Sequence, residues 1–186
     1  MAAPPGEDLY PELLGPAWLA LPPVVRRLHQ EGRARGRVTI ERGRPWPARV
    51  LAQILGFPPA GEVAAHLAVE RRGEEQVWSR RFGEHTMISR QRRRAGDLLA
   101  ERFGSFECAF RLRPTARGID YDLVGAALAF GGLRVPLPRG LAPHVAATTW
   151  EEEGVMGIDV SISAPLLGRV LRYHGLVRPE GDEARA

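Results

Sequence analysis

The segment Phe106–Arg113, FECAFRLR, alternates strictly: Phe106, Cys108, Phe110 and Leu112 stand against Glu107, Ala109, Arg111 and Arg113. A period of two places the first set on one face of a β-strand and the second on the other. Gly104-Ser105 before the segment and Arg117-Gly118 after it supply the turns. Working outward, the same signal recurs from Val63 to Val177. Val63, Leu67 and Val69 share one face of a strand, Arg72-Gly73-Glu74 turns the chain, and Trp78, Arg80 and Phe82 share a face of the next. Further strands follow near His85–Arg92, Leu98–Phe103 and Ile119–Phe130. Val145–Trp150 and Met156–Ile162 form a hairpin across Glu151–Gly154, and Leu171–Val177 closes the sheet. Connections this short favour antiparallel neighbours. Leu133–Pro143, with three prolines, reads as a crossing loop.

The N-terminal part differs in period. Leu13, Leu14, Trp18, Leu21, Val25 and Leu28 recur at intervals of three and four, which makes one helical face broken or restarted at Pro22-Pro23. Arg33–Gly43 alternates around Val38 and Ile40 as a first strand. Pro47–Gly56 reads as a short helix carrying Val50, Leu51, Ile54 and Leu55, stopped by Gly56 with Pro58-Pro59 beyond. The fold class is therefore α+β and mainly antiparallel β. About ten strands should curl into a curved sheet or partial barrel, with an N-terminal helix and a second short helix packed on it. Residues 9–178 make one β-rich domain, and residues 1–8 and 179–186 read as disordered ends.

Composition bounds the chemistry. At 186 residues the chain suits a single core. All 26 residues counted as Lys+Arg are arginine, which excludes a Schiff-base lysine, a P-loop lysine and a lysine general base. Arginine stays protonated beyond pH 12, so a formal charge of only +4 yields a pI near 10.1, and nucleic acid is not an expected partner. The single cysteine, Cys108, forbids an internal disulfide and a cysteine zinc site, and its apolar strand face makes it a core thiol. His66, His85, His144 and His174 lack metal-ligand spacing. His29 ends the first helix, where a cation would favour the helix dipole. No G-x-S-x-G elbow, phosphate loop or dinucleotide fingerprint occurs, and no cofactor is implied. No apolar stretch is long enough to span a bilayer and no signal-peptide pattern begins the chain; a cytoplasmic location is expected.

Two arginine constellations stand out. Arg80 lies between Trp78 and Phe82 on one strand face. If that face is internal, the charge requires a buried partner. Glu101, which shares parity with Leu99 and Phe103 two strands further on, is the best candidate, and Ser89 on the intervening strand could complete a network. The alternatives are a structural ion pair that fixes register, an anion-binding arginine and a surface arginine. The basic run Arg90, Arg92, Arg93 and Arg94 reads as a solvated turn.

The order and spacing of several short motifs resemble a bacterial family known as domain of unknown function 4166. These are Leu9-Tyr10, Leu13-Leu14-Gly15, Trp18, Leu21-Pro22, Val25-Arg26, Leu28-His29, Arg35-Gly36, Phe57-Pro58-Pro59-Ala60-Gly61, Trp78-x-Arg80-x-Phe82-Gly83, Glu101-Arg102-Phe103-Gly104, Pro136-Leu137-Pro138, Leu141-Ala142-Pro143, Glu151-Glu152 and Tyr173-x-Gly175. Members of that family stand alone or follow a saccharopine-dehydrogenase-like reductase half, so the resemblance implies a module that holds a substrate or docks a reductase in trans. The reductase activity itself does not carry over, because its fingerprint is missing.

The leading expectation is a non-catalytic module that binds an apolar or amphipathic, lipid-like small molecule in a helix-capped β cup. Trp18, Trp78, Arg80, Phe82, Glu101, Phe103 and Tyr173 are the candidate ligand-binding residues, with Arg80 orienting a carboxylate or phosphate end. The rivals are an enzyme built on Arg80 and Glu101 with His85 as base, and a docking domain for a partner reductase with a filled core.

Overall fold

Strand β7 (Gly118–Phe130) pairs along one edge with β6 (Phe106–Pro114) and along the other, at Gly118–Asp122, with β9 (His144–Glu152). That double pairing closes the sheet. In the computed structural model, which describes residues 8–130 and 132–181, ten antiparallel strands form a ring. From β6 the ring runs through β5 (Leu98–Phe103), β4 (His85–Arg94), β3 (Glu75–Phe82), β2 (Gly61–Arg72) and β1 (Gly32–Arg42). It continues through β11 (Gly168–Pro179) and β10 (Val155–Ala164) to β9 and β7. The expected curved sheet is thus a closed barrel, a solution that removes the unpaired edges an open sheet would expose.

Alternation sets the interior. Trp78, Arg80 and Phe82 of β3 face inward opposite Val69, Leu67 and Ala65 of β2. Cys108 and Phe110 of β6 are buried alongside Leu99 of β5. Full burial of a side chain such as Leu99 contributes on the order of 2 kcal/mol. Closure requires tight coiling at β1 and β11, and glycine permits it. A Cβ on Gly36 would lie 1.9 Å from the Leu176 carbonyl oxygen, and one on Gly175 would lie 2.2 Å from that of Arg37.

Leu133–Pro136, read from sequence as part of a crossing loop, is a short strand β8 paired on the distal half of β7. Its prolines lie at the strand's end and beyond, where no ladder hydrogen bond is lost. The N-terminal apolar face is divided into three short helices, α1 (Leu9–Leu14), α2 (Ala17–Ala20) and α3 (Pro23–Leu28). Pro22-Pro23 makes one break as expected. Gly15-Pro16 makes the other, with Gly15 at φ 54°. Tyr10, Trp18, Leu21, Val25 and Leu28 are buried, so the three pieces close one end of the barrel.

The fourth helix, α4 (Trp46–Ile54), packs on β11 and β1 at the opposite end. It buries Ala48 and Ala52, whereas Val50, Ile54 and Leu55 are exposed. Of the ends expected to be disordered, residues 1–7 and 182–186 lie outside the described residues. Pro179 ends β11, and the Glu180 amide donates to the Arg33 carbonyl at 2.8 Å.

Candidate functional site

The barrel encloses a cavity of about 760 Å³ that opens at the α4 end. Ile54, Leu55, Leu141, Pro143 and Pro165 stand at the mouth; Trp78, Phe82, Phe103, Phe110 and Tyr173 line the wall. The floor is polar, and it lies under the α1–α3 cap.

One half of the floor is an ion pair. Arg80 Nη2 donates to Glu101 Oε1 at 3.0 Å, Arg80 Nη1 donates to Ser89 Oγ at 2.7 Å, and Ser89 Oγ donates to the same Glu101 Oε1 at 2.6 Å. The strand order β3-β4-β5 makes this possible, because Trp78 opposes Ser89, and Gln91 opposes Glu101, on the inner wall. Both charged side chains are 9% exposed. The Arg80 guanidinium also lies 5.1 Å from the Trp78 ring centroid and 5.9 Å from that of Phe103. Burial by itself would lower the Arg80 pKa, but the Glu101 charge and hydrogen bond outweigh it and the pKa rises. As a salt bridge the pair carries no net charge. Glu101 Oε2 has no hydrogen-bond partner among the described residues.

The other half is a chain of neutral groups. His29 Nδ1 lies 2.7 Å from the Val25 carbonyl oxygen, which can only accept, so Nδ1 carries the proton. Desolvation lowers the His29 pKa to about 4, against the raising effect of the Val25 bond, and the Arg80 charge lowers it further. The ring is therefore neutral near pH 7 and Nε2 accepts. Tyr121 donates to it at 2.8 Å. Having spent its proton, Tyr121 accepts from Tyr10, whose oxygen is 3.1 Å away. Tyr10 Oη lies 2.9 Å from Gln91 Oε1. Tyr10 has no second proton to give, so the amide must turn its NH₂ group to Tyr10 and its oxygen elsewhere; an amide flip of this kind is settled by the network. Burial raises the pKa of Tyr10, Tyr121 and Tyr173.

Six of the seven residues singled out from sequence, namely Trp78, Arg80, Phe82, Glu101, Phe103 and Tyr173, border this cavity. Trp18 does not border it. It lies within the helical cap, its ring centroid 6.4 Å from that of Tyr10. His85 is exposed and forms no part of the floor. The sequence reading missed Tyr10, Gln91 and His29. Only the inclusion of Leu9-Tyr10 and Leu28-His29 among the recurrent motifs could have flagged two of them. His29 is not the cation at a helix end that its position suggested, because burial keeps it neutral. Cys108 borders the cavity too, but burial pushes its thiol pKa up to about 12, far from a reactive thiolate. The basic run is neutralised locally: Arg90 pairs with Glu75, Arg92 with Glu107, and Arg93 with Asp97.

Residues 21–177 match the model of a family described as Domain of unknown function (DUF4166). No curated protein and no solved structure matches the chain at a significant level.

Proposed function

The chain belongs to the DUF4166 family, and from that starting point we propose that it holds an uncharged amphipathic small molecule within the barrel. The observation that carries the reading is the cavity of about 760 Å³, mostly apolar along its wall, with its buried charged pair at the floor. Small-molecule sites span roughly 300–1,000 Å³ and combine apolar walls with a few fixed polar groups. An aliphatic or polycyclic body would bury its surface against Phe82, Phe103 and Tyr173, and a polar end would reach Arg80 and Glu101.

The polar end is uncharged. Glu101 already neutralises Arg80, and His29 is neutral, so a buried carboxylate or phosphate would find no uncompensated cation to offset its desolvation. This modifies the sequence-based expectation that Arg80 orients an anionic end. The acceptors left over, Glu101 Oε2 and the Gln91 amide oxygen, suit a hydroxyl donor. The internal satisfaction of the ion pair by Ser89 favours holding a ligand over moving a proton.

Native mass spectrometry of the purified protein, followed by organic extraction, should recover a bound neutral amphiphile. Nile red should enter the cavity and be displaced by a long-chain alcohol more effectively than by the fatty acid of equal length. Ala147→Trp, on the inner wall, should abolish dye uptake without unfolding the barrel. Protein recovered empty, with no thermal shift from the alcohol and no dye uptake, would overturn the reading.

A further inference from the structure

The mouth of the barrel is built unlike its closed end. Trp46, Val50 and Ile54 recur at intervals of four on α4, a spacing that aligns them on one face, yet they are 70%, 46% and 75% exposed. The helix docks through Ala48 and Ala52 instead, so its large apolar side chains are spent on solvent. Leu141 is 69% exposed beside them at the same opening. Leu166, at the β10–β11 turn, is fully exposed and has φ 64°, a left-handed conformation that a leucine adopts only at a cost. Neither packing nor turn geometry accounts for a leucine there.

Charge follows the same division. The connections at the mouth, residues 43–60, 83–84, 104–105, 132–143 and 165–167, contain one acid, Glu84, and four arginines. Arg44, Arg49 and Arg139 among them are exposed and form no ion pair with described residues; Arg134 is held by Glu107. The turns at the closed end, residues 73–74, 95–97, 115–117 and 153–154, carry Glu74, Asp97 and Glu153 against one arginine, Arg117. An apolar rim studded with unpaired arginines, at the opening of an apolar cavity, combines the two attractions that hold a protein on an anionic interface.

We infer that the mouth docks on an anionic lipid bilayer, with Trp46, Ile54 and Leu141 entering the headgroup boundary and Arg44, Arg49 and Arg139 meeting phosphate groups. The cavity then faces the membrane, and an amphiphile can pass between them without crossing water. That exchange depends on the binding reading above, whereas docking itself does not.

Sedimentation with phosphatidylcholine vesicles, alone and mixed with phosphatidylglycerol, tests this. The protein should partition at least about tenfold more strongly onto the anionic vesicles. Each arginine removed at the mouth should weaken that binding about fivefold, the factor expected for one basic residue near such a surface. Arg44→Glu with Arg49→Glu should reduce partitioning to the phosphatidylcholine level; Arg72→Glu with Arg117→Glu, at the closed end, should leave it nearly unchanged. Trp46→Ser with Ile54→Ser should also lose binding while melting like the parent. Brominated acyl chains should quench the parent's fluorescence, and Trp46→Phe should remove that quenching. Ala147→Trp should retain sedimentation. If the parent sediments but never takes up ligand, docking stands and the cavity reading falls. Failure to bind anionic vesicles, or binding indifferent to every mouth substitution, would overturn the docking. So would loss of self-association in Trp46→Ser/Ile54→Ser without vesicle binding, which would assign the patch to a second copy of the chain.

Discussion

His29 accepts the hydroxyl proton of Tyr121 across 2.8 Å, deep under the helical cap and 92 residues away in sequence. The contact ties α3 to β7 and fixes the direction of every hydrogen bond from Val25 to Gln91. Nothing in the chain reverses it, because the Val25 carbonyl cannot donate.

A pH dependence follows from the same ring. The His29 pKa is about 4 when folded and 6.5 when unfolded. Above pH 6.5 both states are neutral and the ring contributes nothing to the pH slope. Between 6.5 and 4 only the unfolded chain gains the proton, so stability should fall by roughly 3 kcal/mol as pH drops through this window. Glu107 acts elsewhere: its lowered pKa stabilises the fold above 4.5 and loses effect as pH falls below that value. Urea midpoints measured from pH 7 to 4.5 should decline in the parent and decline far less in His29→Gln. An equal slope in both proteins would refute the assignment.

Removing the donor isolates the acceptor. Tyr121→Phe leaves His29 Nε2 buried without a partner and should cost about 1–3 kcal/mol. Tyr10→Phe interrupts the same chain, and the double variant should lose less than the sum of the two. Strict additivity in a double-mutant cycle by chemical denaturation would show that the hydroxyls act independently.

Arg80→Met leaves Glu101 buried beside Ser89 without its counter-charge. The expected loss is about 3–5 kcal/mol. Arg80→Met combined with Glu101→Leu should restore most of it, because the uncompensated charge is then absent. Equilibrium unfolding of the three proteins distinguishes this from a surface arginine, whose replacement would change little.

Gly36→Ala places a methyl group against the Leu176 carbonyl and should destabilise by at least about 1–3 kcal/mol. Gly125→Ala, with nothing within 4 Å of its Cβ position, should stay within about 0.5 kcal/mol of the parent. Comparable melting of the two variants would mean that β1 and β11 can separate without opening the barrel.

Much of the architecture was legible because it is periodic. FECAFRLR states its own faces, and the shared face of Trp78, Arg80 and Phe82, with Glu101 in step with Leu99 and Phe103, made an internal Arg80–Glu101 pair completed by Ser89 one of the readings open to the sequence. The break at Gly15-Pro16 has a local cause too: a left-handed glycine followed by proline ends a helix as Pro22-Pro23 does.

What the chain determined alone was local: which side chains share a face, where turns fall, and which chemistries its missing lysine and lone cysteine rule out. Tertiary structure decided the rest, because closure is a relation between distant edges. Only the pairing of β7 with both β6 and β9 turns a curved sheet into a cavity. Only the return of α1 and α3 over that cavity brings Tyr10 and His29 to Tyr121. The exposure of α4's apolar stripe was likewise unreadable, since periodicity reveals that a helix has an apolar face and only packing reveals whether the barrel covers it.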